Sequence, residues 1–185
     1  MKRGILCVLF LLVSGSMLHA APVVVTFDDL QGQAVVPSPY GGINWMGNWD
    51  YYGWDQDPFN PQSPPNRIYT NYQVFSDGFH EATFEFNSPA VFNGAYIAGG
   101  IYPGVYFNLY LGGTLVATSS TLTQDSTPTF LSSGYSGLVD KVGVVGYTGF
   151  YVMDNVTYDA AVPEPASLLL IGIGLGVVGL ASRRR

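Results

Sequence analysis

Short runs of alternating apolar and polar residues recur along the middle of the chain. The clearest is His80–Phe86, where Ala82, Phe84 and Phe86 alternate with polar or charged residues. A two-residue period is typical of a strand that buries one face, because successive side chains of a strand point to opposite faces. No stretch of residues 21–161 keeps the 3.6-residue apolar period of a helix. The pattern therefore predicts an all-β domain.

A hairpin is the most local of the predicted elements. Tyr106–Leu111 and Thr114–Thr118 flank Gly112-Gly113, and two glycines permit the positive φ angles that a two-residue hairpin turn requires. A turn at Asn87-Ser88-Pro89 is expected to end the strand that contains His80–Phe86. The remaining predicted strands are rich in β-branched and aromatic residues: Val23–Phe27, Val91–Ala98, Phe130–Leu131, Leu138–Val145 and Phe150–Tyr158.

Many short strands separated by turn formers predict one antiparallel β-sandwich domain over residues 21–161. Its layout resembles the jelly roll of galactose-binding-like and carbohydrate-binding modules. Val23–Phe27 with the following Asp28-Asp29, and Met153–Tyr158 near the end, resemble the paired first and last strands of such extracellular domains. An immunoglobulin-like sandwich is the alternative fold.

The alternation stops between Pro37 and Gln73, a stretch that contains all three tryptophans and several tyrosines. A long loop in a compact domain is usually functional or disordered, and the aromatic content argues against disorder. Indole and phenol rings stack on the apolar faces of sugars, so a glycan-binding platform is one interpretation. The alternative is that the rings cap one end of the core. The platform would consist of Trp45, Trp49, Tyr51, Tyr52 and Trp54.

The beginning of the chain predicts a secretory signal peptide over residues 1–20. Lys2-Arg3 precedes the apolar run Ile5–Val13, and small and polar residues follow as far as Ala20, after which we expect cleavage. Passage through the Sec translocon follows from this prediction. A retained N-terminal helix is the alternative, although its apolar run is short for a membrane span.

Residues 162–185 predict a single membrane helix. The 17 residues 166–182 carry no charge, and a helix of that length is about 25 Å long, which is just enough to cross the hydrocarbon core. The arginines that follow favour a cytoplasmic end, because cytoplasmic loops are enriched in Lys and Arg. An ordinary C-terminal anchor would have the same features.

Val162–Leu168, the Gly-rich apolar run and the terminal arginines together resemble the PEP-CTERM protein-sorting signal of Gram-negative bacteria. The resemblance implies recognition by exosortase, an integral-membrane enzyme, and cleavage near the motif. It also implies an inner-membrane-anchored precursor, delivery to the cell surface or outside the cell, and association with exopolysaccharide or biofilm. The residues that carry the motif are Pro163, Glu164, Pro165, Arg183, Arg184 and Arg185.

Composition excludes several classes of function. The one cysteine, Cys7, lies in the predicted signal peptide, so the mature domain would have no disulfide, cysteine nucleophile or thiolate metal site. Residues 21–161 contain twelve acidic residues and two basic ones, Arg67 and Lys141. A surface with this charge repels nucleic acid and suits cations, neutral polymers or solubility.

Calcium is the one metal that the sequence suggests. It is bound by six to eight oxygen atoms from carboxylates and carbonyls, and a paired first and last strand would bring Asp28 or Asp29 close to Asp154. Carboxylates that are solvated or that cap turns are the alternative interpretation.

Catalysis has little support in the residues. His80 is the one histidine outside the predicted signal peptide, and no Gly-x-Ser-x-Gly motif accompanies it. Glu81 and Glu85 would lie about 13 Å apart along one strand, too far for a glycosidase pair. A non-enzymatic exported protein is therefore predicted. A carbohydrate-binding module and a secreted hydrolase that uses carboxylates from different strands are the alternatives.

Overall fold

The computed structural model describes residues 21–71, 74–101 and 103–161. The described residues form strands and loops, with no helix among them, so the all-β prediction is confirmed. The predicted signal peptide, the helix at 166–182 and the sorting motif lie outside these residues. The strands are β1 Val23–Val25, β2 Gln33–Val35, β3 Ile43–Asn44, β4 Trp49–Tyr52, β5 Arg67–Thr70, β6 Phe79–Gly99, β7 Tyr106–Leu111, β8 Thr114–Thr118, β9 Thr129–Ser132, β10 Val139–Tyr147 and β11 Tyr151–Ala160.

All strand pairs are antiparallel and belong to one connected sheet. Its main order is β2-β4-β5-β11-β6-β10-β7-β8, while β1 pairs with β11 and both β3 and β9 pair with β6. The antiparallel prediction is confirmed. The division of the strands into the two packed sheets of a jelly roll stays a prediction, because the observed strands are hydrogen-bonded into one sheet that is joined through β6.

Strand β6 organises the sheet. Its first half pairs with β10, for example at Phe84↔Val142, and its second half pairs with β11, for example at Ile97↔Met153. The turn predicted at Asn87-Ser88-Pro89 is wrong as a strand end, because β6 continues through these residues for a length of 21. The rings of Phe84 and Phe92, one from each half, meet at 5.8 Å, so both halves face one core.

Three local predictions agree with the structure. Gly112 and Gly113 have φ angles of 58° and 77° and connect β7 to β8. The first and last strands pair, with Val24 opposite Thr157. Along the first half of β6, Ala82, Phe84 and Phe86 are buried, whereas the residues between them are half-buried.

The stretch between Pro37 and Gln73 is more regular than its sequence suggests. It contains β3, β4 and β5, and β4 alternates between buried and half-buried residues. The prediction of a long loop is therefore wrong for these segments. The strands are only two to four residues long, and the segment between β4 and β5 is rich in proline, so no sustained alternation marks them in the sequence.

Across the part of the chain that the structure describes, no helix has the length and apolar character that crossing a membrane requires.

Candidate functional site

Two of the predicted platform tryptophans belong to the core. Trp45 and Trp49 are both 0% exposed, and their rings meet edge to face at 6.3 Å. The indole N–H of Trp45 donates to the carbonyl of Tyr40 and that of Trp49 donates to the carbonyl of Thr83, each at 3.1 Å. A ring enclosed on both faces cannot stack on a sugar, so the platform prediction is wrong for these two residues.

The other three platform residues differ in exposure. Tyr51 is buried, and its hydroxyl donates to the carbonyl of Gln31 at 3.2 Å. Tyr52 is half-buried, while Trp54 is 54% exposed, and their rings meet at 5.0 Å. Because Tyr51 and Tyr52 are successive residues of β4, they point to opposite faces of the sheet. Tyr52 and Trp54 are therefore the platform residues that lie together at the surface.

A pocket of about 280 Å³ opens beside Tyr52, among residues of β2, β4, β5 and β11. A pocket of this size is at the small end for ligand sites and would hold about one sugar unit. Its lining combines aromatic rings, side-chain amides and one cation, and it includes no acidic residue. The side chains that give it this character are those of Tyr52, Phe59, Tyr69, Gln33, Gln56 and Arg67.

Arg67 is the buried cation of the pocket and is only 1% exposed. Its guanidinium carbon lies 4.6 Å from the centre of the Tyr52 ring, which is the neighbouring residue across β4 and β5. The guanidinium donates to the carbonyls of Tyr52 and Trp54 and, at 3.5 Å, to the side-chain oxygen of Gln56. Burial lowers the pKa of Arg67, and the nearby Asp55 partly offsets this effect. All three acceptors are neutral.

Tyr69 is fixed on the other side of the pocket. The side-chain amide of Gln33 donates to its hydroxyl at 2.6 Å, which joins β2 to β5 across the intervening β4. Asp50 lies opposite Tyr69 in the β4–β5 register, and burial raises the pKa of this carboxyl while its hydrogen bond with Tyr69 lowers it. This wall of the pocket is therefore held by contacts between three strands.

The aspartates that were predicted to bind calcium lie in different environments. Asp154 is 2% exposed and accepts hydrogen bonds from Ser63 and from the N–H of Asn155. Burial raises its pKa to about 7, and the charge of Asp28 contributes to the rise. Asp29 instead accepts a hydrogen bond from the hydroxyl of Tyr40.

Among the described residues, no group of three or more His, Cys, Asp or Glu side chains gathers in a way that could hold a metal ion. Asp28 and Asp154 interact electrostatically, and neutral oxygen atoms would have to complete a calcium shell. Calcium binding stays a prediction.

The residues weighed for catalysis are engaged in other contacts. Glu81 accepts a hydrogen bond from the Tyr110 hydroxyl at 2.7 Å and another from the Asn108 amide at 3.4 Å. The Nε2 atom of His80 is buried without a hydrogen-bond partner in the part of the chain that is described, and its ring packs against Phe75 at 5.6 Å.

Sequence reasoning missed most of the pocket. Gln33, Gln56, Phe59 and Tyr69 have no distinguishing pattern in the sequence, because they meet only through the pairing of β2, β4 and β5. Arg67 had a usable signal, since it is one of two basic residues in an acidic domain. A cation that is rare in such a domain is a reasonable candidate for a specific contact.

A family model for the PEP-CTERM protein-sorting motif matches residues 161–185. No curated protein and no solved structure matches the chain. The motif makes exosortase the processing partner of this chain and implies export, with a membrane-anchored precursor that is processed for the cell surface. The resemblance inferred from the tripeptide, the apolar run and the arginines is confirmed: the chain carries a PEP-CTERM sorting motif.

Proposed function

We propose that this chain is a non-enzymatic, exported surface protein whose β domain binds extracellular polysaccharide through the pocket beside Tyr52 and Trp54. The observation that carries the proposal is the contact of exposed Trp54 with half-buried Tyr52 beside a sugar-sized pocket, in a chain with an export-associated sorting motif. The domain would be a jelly-roll-like sandwich over residues 21–161, between a signal peptide at 1–20 and the sorting region at 162–185.

The chemistry of the pocket supports a glycan ligand. The exposed indole of Trp54 offers a flat apolar face of the kind that stacks on a sugar ring, and Tyr52, whose ring meets it edge to face, lines the pocket. The side-chain amides of Gln33 and Gln56 can bond ring hydroxyls as donors or acceptors. A few polar groups in a mainly aromatic cleft are typical of a small-ligand site.

The observed contacts also support a binding role over a catalytic one. Hydrolysis of a glycosidic bond uses a pair of carboxyl groups on either side of the bond, and the lining of this pocket includes no carboxyl group. Glu81 lies on β6 outside the lining of the pocket and is already hydrogen-bonded to Tyr110 and Asn108.

The proposed route begins with the signal peptide and the Sec translocon. The apolar helix at 166–182 and Arg183–Arg185 would then hold the precursor in the inner membrane with the β domain outside. Exosortase would act near Pro163–Pro165, and the released or transferred domain would join exopolysaccharide or biofilm material. The acidic charge of the domain suits solubility outside the cell.

The test compares retention of purified variants in affinity gels that contain extracellular polysaccharide. We expect Trp54→Ala and Tyr52→Ala each to weaken retention by about 3- to 10-fold, because each removes one stacking face. Leu115→Ala is the matched control, since Leu115 is 52% exposed on β8, far from the pocket along the strand order. Retention that is unchanged in both aromatic variants, with near-native circular dichroism, would contradict the proposal.

A further inference from the structure

The pocket beside Tyr52 has a charge that the rest of the domain does not have. Residues 21–161 contain twelve acidic and two basic residues, yet the lining of this pocket includes one of the two cations and none of the acids. The formal charge of the lining residues is therefore opposite in sign to the net charge of the domain.

The cation is held in the pocket without a charged partner. Arg67 is 1% exposed, and its hydrogen bonds go to two main-chain carbonyls and one side-chain amide. Among the described residues, no carboxylate forms an ion pair with it; exposed Asp55 acts on its charge without a hydrogen bond. Buried charges are normally paired, because removing a charge from water is unfavourable.

The guanidinium retains donors for a ligand. A guanidinium has five N–H groups, and three contacts with neutral acceptors leave at least two of them. Its planar fork matches the two oxygen atoms of a carboxylate, and Tyr52 stacks on it at 4.6 Å and fixes its plane. Such a pre-oriented cation favours a carboxylate over a hydroxyl, because a charged acceptor makes the stronger hydrogen bond.

We propose that the pocket binds a sugar that carries a carboxylate, a uronic acid unit of an acidic polysaccharide, with Arg67 as the group that recognises the carboxylate. This proposal rests on the proposed function and specifies its ligand. The carboxylate pairs with Arg67, the side chains of Gln33 and Gln56 bond hydroxyls, and the sugar ring stacks on the aromatic wall. A volume of about 280 Å³ limits the pocket to about one unit at a time.

The test uses two probes with the same sugar backbone: a galacturonic acid trimer and the same trimer with its carboxylates methyl-esterified. The full-length chain is studied by isothermal titration calorimetry in a polyoxyethylene detergent, since a sugar-based detergent would compete for the pocket. At 150 mM salt the Debye length is about 8 Å, so repulsion by the acidic domain is largely screened. We expect the acid trimer to bind at least 10-fold more tightly than its ester.

Arg67→Gln is the variant that isolates the cation. We expect it to bind acid and ester within about 2-fold of each other, because the preference for the acid is removed. Gln33→Ala is the matched control, because it removes a hydroxyl partner at the edge of the pocket and should weaken both probes while preserving their ratio. If Arg67→Gln does not fold, the acid-to-ester ratio of the wild type decides alone.

Each outcome distinguishes this inference from the proposed function. Equal binding of acid and ester by the wild type would overturn recognition of the carboxylate while leaving a glycan-binding pocket. Preference for the acid that survives in folded Arg67→Gln would also overturn it, because another group would then be responsible. Binding of neither probe overturns the inference, whereas the proposed function is tested separately by the retention of the wild type and of the Tyr52 and Trp54 variants on polysaccharide.

Discussion

The buried carboxyl of Asp154 predicts an unusual dependence of stability on pH. It accepts hydrogen bonds from Ser63 and Asn155, but burial, with the nearby charge of Asp28, raises its pKa from 3.8 to about 7. Between these two values the native protein holds a proton that the unfolded chain releases. Stability therefore decreases as the pH rises through this window, whereas a carboxylate with a lowered native pKa would have the opposite effect.

The size of the effect follows from the two pKa values of Asp154. One pKa unit corresponds to about 1.4 kcal/mol of differential interaction, so the titration of Asp154 lowers the free energy of unfolding by an amount that approaches about 4 kcal/mol above pH 7. Between pH 4.5 and 7.5, integration of the linkage relation gives a loss of about 3 kcal/mol in the free energy of unfolding. Asp154→Asn removes the titration and retains an oxygen acceptor for Ser63. The stability difference between variant and wild type should grow by that amount over this range.

The assay is urea unfolding of the full-length chain in non-ionic detergent, followed by tryptophan fluorescence at several pH values. A chelator is present throughout, since a bound cation would stabilise the ionised carboxylate and oppose the trend. Asp77→Asn is the control, because Asp77 is exposed and its variant should follow the wild type. A variant-minus-wild-type difference that stays within about 0.5 kcal/mol, or that shrinks as the pH rises, would refute the reasoning.

Three further predictions concern the core, the sheet and the metal. Trp49→Ala should lower the free energy of unfolding by about 3–5 kcal/mol, whereas Trp54→Ala should change it by less than about 1 kcal/mol, because only Trp49 is fully buried. Equal losses of the two variants in urea unfolding would contradict this prediction. Gly94→Ala should lower the melting temperature by several degrees, since Gly94 has a φ of 143° and an added Cβ would clash with the Leu131 carbonyl. An unchanged melting temperature would contradict this close approach of β9 to Gly94. If Asp154 contributes to a calcium site, millimolar calcium should raise the melting temperature of the wild type and not that of Asp154→Asn. A wild-type melting temperature that changes with neither calcium nor chelator would contradict the calcium site.

Local rules predicted the parts of the fold in which neighbours in sequence are neighbours in space. Gly112-Gly113 specifies its hairpin because the turn needs only two permissive residues. The alternation around Phe84 specifies a half-buried strand because its period is a property of the backbone. The continuation of β6 through Asn87-Ser88-Pro89 was not predictable in this way, because turn formers were present and only pairing with β10 and β11 shows that the strand continues.

The residues that form the candidate site could not be predicted from local sequence patterns either. The aromatic content of the region between Pro37 and Gln73 indicated that the rings matter, but not which rings are accessible. Trp49 and Trp54 are five residues apart and chemically alike, yet one is 0% and the other 54% exposed. Burial depends on which strands cover a side chain, and the strands that meet there come from distant parts of the chain.

By itself, the sequence determined how this protein is sorted and which class of structure it forms. The sorting motif at 161–185 consists of residues in linear order, and an alternating pattern needs no knowledge of partners. Only the tertiary structure decided where a pocket forms. Pairing of β4 with β5 places Arg67 beside Tyr52, and the order of β2, β4 and β5 brings Gln33 to Tyr69. A pocket is a property of several distant segments together, and its geometry exists only once the strands have paired.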